Sequence, residues 1–285
     1  MTLDLKAYLA ARQSLVEAHL AACLPAEGTR PDVLSAALRH AVLSGGKRLR
    51  PILCLAAAEA AGGQAEDALF PACAVELLHT YTLVHDDLPC MDNDLLRRGQ
   101  PTVHAKYGEA IGVLAGDALQ TLAFATLART PERRPGTVAA LVSELASAAG
   151  AAGVIGGQVE DIRFASAPSR ATLDYVFQHK TADLFRAACR LGALAAGAAP
   201  ASLARLSDFA DGLGFAFQII DDLLDAQEAK AGAQPELSCL DVMTEPEARD
   251  WAAGHTRRAV AALEGLPGET APLAALAENL LARIF

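Results

Sequence analysis

Aromatic residues make up only 5% of this 285-residue chain, while hydrophobic residues of all kinds make up 52%. With alanine and leucine dominating, that balance favours closely packed helices over sheet, and an all-α fold is expected. Basic residues are outnumbered, 24 Lys and Arg against 34 Asp and Glu, for a formal net charge of −10. Nucleic acid and anionic membranes both need a basic face, so neither is expected as the main partner. Cysteine pattern is missing too. Cys23, Cys54, Cys73, Cys90, Cys189 and Cys239 are scattered with no C-x-x-C pair and no metal-finger spacing, which reads as reduced, packed thiols of a cytoplasmic protein. The opening MTLDLKAYLAARQSL has early charges and no apolar core, so neither a signal peptide nor an anchor is expected in it. No later stretch reaches about 18 apolar residues without a charge or helix breaker, so no membrane span is expected. No linker and no repeat of fixed period divides the chain, and a single domain over residues 1–285 is expected.

What is present is a run of helical patterns separated by Gly and Pro. Helices are expected from Leu3 to Leu24, from Pro31 to Ser44, through ILCLAAAEAA after Lys47–Pro51, and from Glu66 to Val84 with a kink or end at Pro89. A nearly uncharged helix follows from Gly108 to Ala128, where Asp117 would need a partner if buried. Two shorter helices flank the Gly-rich GVIGGQVED, and longer ones run from Arg170 to Ala196 and from Ser202 to Asp225. Residues 226–243 read as a loop or lid, and amphipathic helices near Glu245–Glu264 and Ala271–Ile284 close the chain.

Charge concentrates in LLHTYTLVHDDLPCMDNDLLRRGQPTVH, Leu77 to His104, where an apolar run ends in Asp86, Asp87, Asp92 and Asp94 and passes at once to Arg97 and Arg98. A second acid cluster, Asp221, Asp222 and Asp225, ends FQIIDDLLD, with Gln218 near the same stripe. On a helix Asp221 and Asp225 lie about 40° apart, and like charges 4 Å apart repel by about 4 kcal/mol at an effective dielectric near 20. Something positive should compensate. Asp86 and Asp92 would sit about 120° apart on a straight helix, a constraint that Pro89 relaxes. Two acid clusters facing one another across a helical bundle suit magnesium, which takes oxygen ligands and shares its shell between carboxylates and substrate phosphates. Lys47, Arg48 and Arg50 follow a double glycine at a helix start, where free N–H groups also favour anions. Arg97 and Arg98 suit bidentate phosphate contacts. Lys180 sits one turn after Phe177, and His79 lies two turns below Asp86, where a packed core histidine is the alternative.

In these motifs the chain resembles the trans-isoprenyl diphosphate synthase (polyprenyl synthetase) family, most closely its bacterial farnesyl diphosphate synthases. GGKRLRP, DDLPCMDNDLLRRGQPTVH, GGQVED, HKT and FQIIDDLLD occur in the family's order from about Gly45 to Asp225. The resemblance implies an all-α bundle with a deep central cavity, a homodimer, and a Mg2+-dependent head-to-tail condensation of isopentenyl diphosphate with dimethylallyl or geranyl diphosphate. It implies three metal ions with substrate bound, held mainly by Asp86, Asp92 and Asp221 and supported by Asp87, Asp222 and Asp225. Lys47, Arg50, His79 and Arg98 would hold isopentenyl diphosphate. Arg97, Lys180, Thr181 and Gln218 would serve the allylic diphosphate and the cation formed from it. In the family a bulky aromatic five positions before the first acid cluster goes with short products, so Tyr81, beside Thr82, implies a C15 product. C20 and C10 are the alternatives.

The chain departs from the family after the second acid motif. AQEAKAGAQPELSCLDVMTEPEAR lacks the Gly-x-Asp found there, and Lys230 comes five residues after Asp225 where relatives carry a later Gly-Lys. Either Lys230 serves the allylic diphosphate from a shorter loop, or the allylic substrate is bound less tightly. A class I terpene cyclase would not need the second diphosphate site that Lys47, Arg50 and His79 imply. A non-catalytic partner subunit should have lost an acid motif, and both are intact.

Overall fold

The computed structural model describes residues 3–163, 169–228 and 237–284. Lys230 and the rest of residues 229–236 lie outside them.

Helix α1 (Leu5–Cys23) starts where the Asp4 carboxylate accepts from the Ala7 N–H, and α2 (Asp32–Leu43) follows the expected Pro and Gly break. Helices α3 (Leu49–Ala60) and α4 (Leu69–Asp86) are joined through Gly62, Gly63 and a short 3-10 turn. Helix α4 is buried on almost every side, from Pro71 to Val84. It ends three residues before Pro89. A two-residue hairpin, β1 (Leu96–Arg97) with β2 (Gln100–Pro101), leads into α5 (Val103–Tyr107) and α6 (Glu109–Leu127). Then come α7 (Thr137–Ala149), α8 (Val154–Ile162), α9 (Arg170–Val176), α10 (Asp183–Ala195), α11 (Pro200–Glu228), α12 (Glu245–Ala262) and α13 (Ala271–Leu281).

Two apolar clusters fill the bundle. One gathers Val16, Leu20, Leu38, Leu77, Leu78, Leu119 and Leu127 around α4. The other gathers Ile52, Phe177, Phe185, Phe209, Ile219 and Ile220 around α10 and α11. Helices α3 and α10 supply both, Leu55 and Leu191 to the first, Ile52 and Phe185 to the second. They cross so closely that a Cβ on Gly192 would fall within 1.9 Å of the Cys54 carbonyl oxygen.

Three expectations change here. The Gly-rich GVIGGQVED is not a loop between helices: residues 154–162 are helix α8. The single helix expected from Arg170 to Ala196 is interrupted by a π-turn at Phe177–Ala182. Asp117 is exposed on α6 and needs no buried partner. By length and apolarity alone, α6 and the stretch Thr137–Ile162 would suffice to cross a membrane. Among the described residues α6 packs against α4, contributing Leu119, Ala123 and Leu127 to the core.

Candidate active site

Pro89 lets the chain turn back on itself at the end of α4. The Asp92 N–H donates to the Asp86 carbonyl oxygen (2.9 Å), and the Asn93 N–H to that of Leu88 (3.1 Å). Asp92 is thereby returned to the end of the helix, which removes the angular mismatch a straight helix would impose. The two acids repel, and burial pushes the Asp86 carboxyl up to about 6, against the pull of Lys180 and with the push of Asp92. Burial also raises Asp92, again opposed by Lys180.

Asp86 and Lys180 line a cavity of about 510 Å³. Arg50, His79, Tyr81, Thr82 and Thr181 contribute to its wall, and Leu88, Val113, Val154, Ile155, Val159 and Leu184 make much of the rest apolar. Val113, Ile155 and Val159, large hydrophobics more than a third exposed, owe that exposure to facing this space.

Lys180 and Thr181 are aimed by the π-turn. Lys180 Nζ donates to the Asp161 carboxylate of α8, and Asp161, Asp86 and Asp92 together outweigh burial and raise its pKa above the ordinary lysine value. Thr181 Oγ1 donates to Gln218 Oε1 (2.8 Å), and Gln218 Nε2 donates to Asp222 Oδ1 (3.0 Å). The orientation of the Gln218 amide is thus set from both ends.

Each acid pair is split between two environments. Asp86 lines the cavity, but Asp87, 3% exposed, accepts from Arg97 Nε (2.6 Å). Burial lifts Asp221, seconded by Asp225, against Arg283, Lys47 and Arg50. Asp222 turns inward, accepting from the Cys239 N–H (2.6 Å) as well as from Gln218, and burial holds it at about 6 despite those bonds. Asp87 and Asp222, expected to support metal, hold protein partners here. Asp225 also has a partner.

The basic residues divide similarly. Arg50 lies over the Phe185 ring (4.8 Å) and donates to His79 Nε2 (3.2 Å), so His79 is neutral and orients the guanidinium. Burial first, then Arg50 and Arg98, drive the His79 pKa well down, and burial lowers Arg50 to about 10. Lys47 does not line the main cavity. It faces a neighbouring one of about 310 Å³ with Leu49, Phe217 and Arg283. Arg97 also meets Asp94 (3.4 Å), and Arg98 donates to the Gly45 carbonyl. Two partners were missed by sequence reasoning. Asp161 was visible only as an acid in GGQVED. Glu76 was not singled out at all: it accepts from Arg48 (2.9 Å), which was read as an anion-binding candidate but is 2% exposed and donates also to the Val42 carbonyl (2.6 Å), fixing the chain between Lys47 and Arg50.

The polyprenyl synthetase family model matches residues 31–236. The chain belongs to that family. This prenyltransferase is 43% identical over 271 residues to the geranylgeranyl pyrophosphate synthase, chloroplastic, of Capsicum annuum, a match covering 89% of this chain and 72% of that protein. It is 39% identical over 297 residues to the heterodimeric geranylgeranyl pyrophosphate synthase large subunit 1, chloroplastic, of Arabidopsis thaliana, covering 98% of this chain and 80% of that protein. The crystal structure of an FPP/GFPP synthase from Zymomonas mobilis superposes with a TM-score of 0.89 at 34% identity, covering 99% of this chain and 100% of that one. The expected all-α isoprenyl synthase fold is the observed one.

Proposed function

We propose that this prenyltransferase condenses isopentenyl diphosphate with an allylic diphosphate and carries the product to C20. The single observation behind the reading is one cavity whose largely apolar wall also carries Asp86, Lys180, Arg50 and His79, so that space for an isoprenoid chain is lined in part by groups that suit a diphosphate. The C20 length follows the names of the two plant relatives. C15, expected from Tyr81 alone, is the second reading. Tyr81 does line the cavity beside Thr82, but it is only 8% exposed and packs edge-on to His85 at 5.1 Å, so little of it obstructs the space.

The donor set fits magnesium. No group of three His, Cys, Asp or Glu among the described residues is gathered closely enough to hold a metal alone. Asp86, Asp92 and Asp221 instead present hard carboxylate oxygens, raised by burial and undercompensated, as expected where phosphates complete the shell. When bound there, magnesium would supply charge stabilisation for the departing diphosphate.

The chain's own residues do the rest. Lys180 and Arg97 hold the allylic diphosphate and offset the charge that develops as its C–O bond breaks. Thr181 and Gln218 turn neutral oxygens toward the allylic cation without attacking it. Arg50, oriented by neutral His79, and Lys47 with Arg98 place isopentenyl diphosphate so that its alkene meets the cation. The apolar wall excludes water, which would otherwise capture it. The released diphosphate accepts the final proton, so no separate base is required.

We extend the reading to a single domain acting as a homodimer through α6, which leaves Leu114 52% exposed, in a reducing compartment such as the cytoplasm, in keeping with its free thiols. The test is incubation with isopentenyl diphosphate, magnesium and dimethylallyl, geranyl or farnesyl diphosphate, with product mass as the readout. C20 diphosphate is expected. Products ending at C15 would favour the second reading.

A further inference from the structure

The reaction leaves one deeply buried carboxylate unexplained. Asp183 opens α10, immediately after the π-turn, and is 2% exposed. Its backbone N–H donates to the Gln178 carbonyl, five residues back, where an α-helix would have it reach His179. Its side chain takes three more donors: Gln178 Nε2 (3.0 Å), His179 Nδ1 (2.8 Å) and Arg186 Nη2 (2.7 Å). Two of those three donors belong to the π-turn itself.

The same cluster reaches α11. Arg186 Nη1 (3.4 Å) and Gln178 Nε2 (3.5 Å) both donate to Asp211 Oδ1. Asp211 lies seven residues before Gln218, so both stand on one stripe of α11. The turn is therefore tied to α11 at Asp211 and meets it again where Thr181 bonds Gln218. Closing the π-turn to α-helical spacing would rotate the residues on one side of it by about 100° against the other. Lys180 could not then keep Asp161 while Thr181 kept Gln218.

We propose that Asp183 is a positioning residue for prenyl transfer: its carboxylate, through Gln178 and His179, holds the π-turn open so that Lys180 and Thr181 face the cavity. The inference rests on the roles given to those two residues above.

The test compares Asp183→Asn, which keeps the shape and one acceptor oxygen, with Asp183→Ala. A displacement near 1 Å at the reacting groups costs roughly a hundredfold in rate, so kcat should fall about 100-fold for Asp183→Ala and about tenfold for Asp183→Asn, with the KM for isopentenyl diphosphate unchanged. If Asp183→Ala does not fold, Asp183→Asn carries the test. In a double-mutant cycle, Asp183→Asn should cost clearly less once Thr181→Val is present, because Asp183 acts in part through that residue and otherwise through Lys180. An Asp183→Asn enzyme with unchanged kcat, or losses that simply multiply with Thr181→Val, would overturn the inference while leaving the prenyl-transfer reading intact. A wild-type enzyme that forms no prenyl product would overturn both.

Discussion

Gly157 is where a single methyl group should bear most directly on Lys180. A Cβ built there would lie 2.3 Å from the Lys180 nitrogen and 2.8 Å from both the His179 carbonyl carbon and Lys180 Cα, all backbone. Ordinary contact begins near 3.4 Å, so α8 and the π-turn must part by about 1 Å. Two effects oppose one another in Gly157→Ala. Alanine in a helix gains about 1 kcal/mol over glycine, whereas forcing a packed backbone apart costs about 1–3 kcal/mol. The second should win, and the displacement carries Lys180 with it, for a rate loss of roughly a hundredfold. Gly254→Ala is the control: on α12 its Cβ would meet only Arg257 Nη2, at 3.9 Å, so it should stabilise by about 1 kcal/mol and leave the rate alone. Thermal melting and kcat at saturating substrates decide the matter. A Gly157→Ala enzyme as fast as wild type and melting higher would show that the contact between α8 and the π-turn does not hold Lys180 in place.

Tyr81→Ala should leave the product distribution unchanged, read by mass, since little of its ring stands in the cavity; a shift to longer chains would mean that Tyr81 limits length and would favour the C15 reading. Glu76→Ala strands the buried Arg48 guanidinium, so it should cost about 3–5 kcal/mol in denaturant unfolding and raise the KM for isopentenyl diphosphate by loosening Lys47 and Arg50. His255, stacked on Phe215 at 4.8 Å, is lowered to about 4 by burial and then by Arg258 and Arg170. Between pH 6.5 and 4 the unfolded chain binds the extra proton, so stability is lost as pH falls through that window. His255→Phe should melt with a smaller pH dependence there, and an identical slope would count against it.

Sequence reasoning found the two acid motifs, their basic companions and most helix boundaries, because Pro and Gly mark ends that the fold respects, as at Gly62 and Pro89. It could not see which way the second acid of each pair turns. A helical wheel fixes Asp87 and Asp222 relative to their neighbours in sequence, but Arg97 and the Cys239 N–H, which claim them, arrive from other segments. The π-turn was invisible for a related reason. One extra residue in a turn barely disturbs the apolar period of Arg170–Ala196. Glycines in GGQVED pointed to a loop because helices disfavour them, yet Gly157 is there for the close approach of α8 to that turn. The place of Tyr81 before the acid motif does not reveal how far its ring enters the cavity, so sequence alone could not decide product length.

Whether two diphosphates meet in one site can be read from diphosphate release from the allylic substrate with and without isopentenyl diphosphate, magnesium being present throughout. Release should require isopentenyl diphosphate and match, mole for mole, its incorporation into a longer prenyl diphosphate. Release from the allylic substrate alone, accompanied by a hydrocarbon or alcohol, would contradict a site for two diphosphates.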